Sequence, residues 1–148
     1  MEKIPVLISI RSNAHRDEAV EDETMTMLTS GTLEVDDVRA VIHYEETLDE
    51  SLPAQPVTVT VEDECATMSR GGAYATQMVF RTGCRYEGSY HTPFGDMDLA
   101  VYCTRLGYDL GDDGGTLELT YQLDLNGRFA AMHDLELKLI RQEHEAES

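Results

Sequence analysis

The feature that most constrains this chain is a two-residue alternation of apolar and polar side chains that recurs along its length. Over 116–125, Leu117, Leu119, Tyr121, Leu123 and Leu125 alternate with Glu118, Thr120, Gln122 and Asp124. Successive strand residues point to opposite faces, so this pattern is a strand with one face in a core and one in water. The same rhythm runs through Met97, Leu99, Val101 and Cys103, through Val57, Val59 and Val61, and through Leu135, Leu137 and Leu139. Further strands are predicted over 4–11, 25–34, 38–45, 74–81 and 85–91, with a short one over 65–69. No helical periodicity of useful length interrupts them.

Turn residues fill the gaps. Asp36-Asp37, Arg70-Gly71-Gly72, Thr82-Gly83, the Gly-Asp-Asp-Gly-Gly run at 111–115 and Asn126-Gly127 stand where the alternation lapses. Asn-Gly between alternating runs marks a two-residue hairpin, because both of its residues tolerate positive φ. Thr92-Pro93-Phe94-Gly95 suits a type I turn, with Pro at i+1 and Gly at i+3. About nine short strands joined by tight turns make an antiparallel meander. Such a meander folds as a barrel or a sandwich, and closure into a barrel is the favoured way to hide the edge strands. The prediction is an all-β chain, one domain over 1–148, with acidic connections at 14–23 and 47–55 and a frayed polar tail at 142–148.

Charge narrows the function. Twenty-nine acidic side chains against 11 Lys and Arg leave a formal net charge of −18, which disfavours polyanionic partners and anionic membrane surfaces. The expectation is no nucleic acid and no membrane partner. The opening Met1-Glu2-Lys3-Ile4-Pro5 run lacks the layout of a signal peptide, so a cytoplasmic location is expected. Cys65, Cys84 and Cys103 are each 19 residues apart, a spacing that fits no zinc site, and they read as reduced, mostly buried thiols.

The chemical motifs are sparse. The acidic run from Asp109 to Glu118 looks like a calcium loop, but position 12 would be Thr120 rather than a bidentate Glu, and strands flank it. His43 and Glu45 share a strand face and supply two ligands where a metal site needs more. There is no Gly-x-Ser-x-Gly elbow, no Walker loop and no dinucleotide-binding glycine motif after a strand. No catalytic residue, metal or cofactor is assigned.

The run Arg70-Gly-Gly-Ala-Tyr-Ala-Thr-Gln-Met-Val-Phe-Arg-Thr-Gly83, then Tyr90-His91-Thr92-Pro93-Phe94-Gly95-Asp96-Met97 and the later Leu119-Thr120-Tyr121-Gln122-Leu123, resembles the YwiB-like family of small bacterial proteins of unknown function. The resemblance spans nearly the whole chain. It implies a calycin-type barrel of about 8–10 strands, similar to lipocalins in topology, and carries no activity or functional residue with it.

Charge and aromatics are unevenly spread. Between Arg70 and Arg105 four arginines (70, 81, 85 and 105) meet only Glu87, Asp96 and Asp98, a local net of +1, so the remainder carries −19. Seven of the ten aromatics lie between Tyr74 and Tyr108. Arginine and tyrosine together are the composition of a recognition surface. The competing reading puts the aromatics in a barrel core and the arginines outside as solubilising charges. The candidate ligand-binding residues are Arg70, Arg81, Arg85, Tyr86, Tyr90, His91 and Arg105. Two functions follow from them. One is a small-molecule-binding module with an apolar or anionic ligand at the barrel mouth or interior. The other is a protein-interaction or homodimerising surface on residues 70–108.

Overall fold

The computed structural model describes residues 3–16, 23–47 and 53–142. Ten strands follow one another: β1 (Ile4–His15), β2 (Glu23–Val35), β3 (Arg39–Glu46), β4 (Gln55–Glu62), β5 (Cys65–Arg70), β6 (Thr76–Arg81), β7 (Arg85–Thr92), β8 (Gly95–Gly111), β9 (Gly114–Leu125) and β10 (Arg128–Arg141). Each pairs antiparallel with its sequence neighbours, and β10 pairs with β1 to close the barrel. Closure leaves no edge strand exposed, the expected outcome for a meander of this length. None of the described residues is helical, and no helix is long and apolar enough to cross a membrane.

The alternation predicts the inward face strand by strand. Ile4, Val6, Ile8 and Ile10 on β1, Val57, Val59 and Val61 on β4, and Leu117, Leu119 and Tyr121 on β9 are all buried. Phe80 is fully buried in this core, tilted at 54° to Tyr121 with ring centroids 4.8 Å apart. On β6, Met78 and Phe80 point in while Arg81 is exposed.

Two bulges explain where the pattern loses phase. The β8–β9 register shifts between Cys103 and Arg105. Odd residues up to Cys103 therefore face inward, whereas beyond it the even Leu106 and Leu110 pack on the core. A single inserted residue has this effect because the side-chain period is two. It also lets β8 run 17 residues, well past the predicted segment. A second shift lies between Phe129 and Ala131 on β10.

The turns follow their chemistry. Asn126 and Gly127 have φ of 52° and 78°, as a two-residue hairpin with matching twist requires. Asp36 Oδ1 accepts the N–H groups of Val38 and Arg39, both at 2.8 Å, and these bonds hold its carboxyl below the usual range. Asp63-Glu64 makes a left-handed turn without glycine, with φ of 48° and 60°, which the turn-residue signals missed.

Three expectations need correction. Ala14, His15 and Glu23 belong to strands and Gln55 opens β4; the remaining parts of the acidic connections, 17–22 and 48–52, lie outside the described residues, as does 143–148 of the tail. Tyr74 sits in the turn before β6 rather than in it, because Gly72, at φ 85°, breaks the strand earlier. Cys103 alone among the thiols is fully buried; Cys84 is exposed on the β6–β7 turn and Cys65 is half-buried.

Candidate functional site

The inward-facing alternation changes character at one rim. Following the inward phase, Ile10 gives way to Ser12 on β1, Tyr44 to Glu46 on β3 and Met68 to Arg70 on β5. On strands running the other way the polar residue comes first: Gln55 before Val57, Thr76 before Met78 and His133 before Leu135. Strands that end at a rim meet strands that begin there in an antiparallel barrel. These six polar side chains therefore gather at one mouth, while the other half of the interior is filled by Phe80, Leu33, Ile42, Val61 and their neighbours.

The mouth opens onto a cavity of about 280 Å³ lined by all six. Its floor is apolar, formed by Met68, Met78, Leu99, Leu123 and Leu135. Arg70 Nε donates to Glu46 Oε1 at 2.9 Å, and its Nη2 donates to Oε2 at 3.5 Å. The Glu46 side chain is 12% exposed and that of Arg70 24%, so this forked pair sits largely out of water.

Beside it stands Gln55, 3% exposed. Its Oε1 accepts the Tyr74 N–H at 2.7 Å, which fixes the orientation of the amide. Its Nε2 is buried and has no hydrogen-bond partner among the described residues.

The aromatic wall is uncharged. Burial raises the Tyr44 and Tyr121 hydroxyls to about 12, and burial also raises Tyr90. His133 stacks on Tyr121, with centroids 5.1 Å apart and planes 9° from parallel. Burial and then the nearby positive charges of Arg16 and Arg70 lower its pKa, which keeps the imidazole neutral at pH 7. Tyr74 and Tyr90 meet tilted at 47°, with centroids 6.3 Å apart, and close one side.

Of the seven residues singled out from the sequence, the structure brings Arg70 and Tyr90 to this cavity. Tyr86 also points inward, but deeper, packed on the core with its ring over Gly88. The other four are exposed on the outer face. Arg81 ends β6 at the far rim. Arg85 bonds Glu87 at 3.2 Å and Asp124 at 3.4 Å. His91 pairs with Asp96 at 2.9 Å, and Arg105 with Glu118 at 2.7 Å. The arginines thus do not converge.

Sequence reasoning passed over Tyr44, Glu46, Gln55, Tyr121 and His133. The signal was present for Glu46 and Gln55, each the one polar residue in the inward phase of an apolar strand and at that strand's end, whereas His133 lies inside β10 beside the apolar Leu135, Leu137 and Leu139. Among the described residues, no group of three or more His, Cys, Asp or Glu side chains is placed to hold a metal ion.

Comparison with known proteins agrees with the resemblance read from the sequence. A family model described as a domain of unknown function (DUF1934) matches residues 8–137. The crystal structure of the ywiB protein from Bacillus subtilis superposes with a TM-score of 0.83, covering 95% of this chain and 94% of that one at 20% identity. At that identity the likeness is one of fold. No curated protein matches the chain.

Proposed function

The chain belongs to the DUF1934 family, a domain of unknown function, and from the geometry of its barrel mouth we propose that it is a small-molecule-binding module. It acts without catalysis, in the bacterial cytoplasm, holding a ligand against the ring of Arg70, Glu46, Gln55, Tyr44, Tyr90 and Tyr121. The observation that carries this reading is the Gln55 amide. A buried donor without an acceptor costs about 1–3 kcal/mol, and folded proteins keep such groups chiefly where a ligand or water completes them. Gln55 lines a cavity with an apolar floor and a few converging polar groups, the usual make-up of a ligand site. The calycin-like character implied by the sequence resemblance adds an analogy, since barrels of that kind enclose ligands. Of the residues chosen from the sequence, Arg70 and Tyr90 have a role in this reading, and Arg81, Arg85, His91 and Arg105 do not.

A cavity of about 280 Å³ lies near the lower end of the ~300–1,000 Å³ range of ligand pockets, so the ligand is small. Native mass spectrometry of freshly purified protein tests this. The expected spectrum shows a small-molecule adduct that is lost on denaturation; a bare mass in every preparation counts against it.

The alternative reading, an interaction surface, has one observation in its favour. Tyr102, on the outer face of β8, is 40% exposed, and Arg85 lies opposite it on β7. The same spectrum reports it as a dimer mass.

A further inference from the structure

We propose that the ligand of this mouth is an uncharged molecule with a carbonyl-type acceptor on a small apolar body. The proposal rests on the reading of the mouth as a binding site and names the class of compound that site takes.

Charge balance is the first argument. Arg70 is the cation of the site, and Glu46 already answers it through both carboxylate oxygens. An anionic ligand would either draw Arg70 away from Glu46 or sit, with no cation left to balance it, beside a carboxylate that is only 12% exposed. Removing one partner of a buried pair is far costlier than the pair is stabilising. The chain's net charge of −18 opposes an anion as well. A cation would meet the Arg70 guanidinium in the same space. The neutral His133 and the protonated tyrosines add no charge. The site as built sums to zero.

The second argument is the excess of donors. Guanidinium carries five N–H groups, and Glu46 engages Nε and Nη2. The unpartnered Gln55 Nε2 is a donor, and its carbonyl is already taken by the Tyr74 N–H. What the site wants is an acceptor.

The third argument is shape. The floor of Met68, Met78, Leu99 and Leu123 asks for an apolar body, and the Tyr121–His133 stack offers a flat wall. An apolar cavity of about 150 Å³ is enough for benzene, so about 280 Å³ admits a ring with an amide substituent.

The test uses three probes of one shape, benzamide, benzoate and toluene, titrated into the full chain at pH 7.5 by calorimetry. Benzamide is expected to bind saturably and at least tenfold more tightly than either of the others. Gln55→Leu should weaken benzamide several-fold and leave toluene unchanged. Gln55→Glu, which keeps an acceptor for the Tyr74 N–H, should weaken it in the same way. If neither variant melts cooperatively, the wild-type ranking decides alone. Benzoate or toluene binding as well as benzamide overturns the proposed class while leaving the mouth a ligand site. No saturable binding by any of the three also overturns it, and a bare native mass would overturn the underlying reading as well.

Discussion

Arg70 and Arg85 carry the same charge fifteen residues apart, yet the first holds Glu46 inside the rim and the second reaches Glu87 and Asp124 across the wet outer face. Arg70→Met leaves Glu46 buried and unanswered and should cost about 3–5 kcal/mol. The double variant Glu46→Leu with Arg70→Met should recover most of that loss. Arg85→Ala removes exposed, solvent-screened ion pairs and should leave stability nearly unchanged. Urea midpoints of the four proteins check all three outcomes. The pH dependence also belongs to single residues. Tyr44 and Tyr121 keep their protons to about 12 in the fold, against 10.0 for a free phenol. Between those values the unfolded chain ionises and the folded one does not, so stability falls with rising pH from 10 to 12, on the order of 2–3 kcal/mol per ring. His133 is shifted the other way. Below its ordinary 6.5 the unfolded chain gains a proton that the folded chain resists, so stability falls as pH drops through that point. Thermal melts across pH 4–12 should show both limbs, with His133→Gln flattening the acid side and the two Tyr→Phe variants the alkaline side. Arginine and tyrosine content pointed to residues 70–108. Content has no direction, however, and inward phase is what separates Arg70 and Tyr90 from Arg81, Arg85 and Arg105.

At the scale of elements, alternation and turn chemistry made nearly all ten strands legible. Leu117 to Leu125 and Val57 to Val61 show their inward face without help from the rest of the chain. The losses have local causes. The bulge at 103–105 inverts the phase of β8, so Leu106 and Leu110 read as outward when counted from Cys103. The Asp63-Glu64 turn adopts positive φ at both residues with no glycine to mark it. Register was equally invisible, and it has a consequence for the mouth. Strands β6 and β7 face one another through Thr76 opposite Tyr90, with the His91 N–H on the Ala75 carbonyl at 2.9 Å. The β8–β9 ladder, by contrast, runs continuously from Leu99–Leu125 to Gly111–Gly114 apart from its bulge. Opening free energy is lowest where few ladder bonds hold. Amide hydrogen exchange should therefore be faster in β6 and β7 than in β8 and β9. Because Thr76, Met78 and Tyr90 line the cavity, a bound ligand should slow that exchange.

The whole molecule is a closed barrel with two unlike halves, one filled with apolar side chains and one hollowed into a partly polar cup. The sequence showed the barrel but not the cup. A cavity arises where ten strands from distant parts of the chain fail to fill the space between them, and one strand's pattern cannot report that. Among the described residues Glu46 and Arg70 are the charged side chains that line the cup, and they balance each other, so charge arithmetic over the chain says nothing of the site. Methionine positions allow a direct test of the central claim that this cup binds small molecules. Met25, Met68 and Met78 line the cavity, whereas Met97 and Met132 do not. With methyl-labelled methionine, the decisive measurement is the NMR spectrum during titration with a library of small uncharged carbonyl compounds. The account predicts saturable shifts of the Met25, Met68 and Met78 methyls with Met97 and Met132 unmoved. Shifts confined to Met97 and Met132, or no shift across the library, would contradict it.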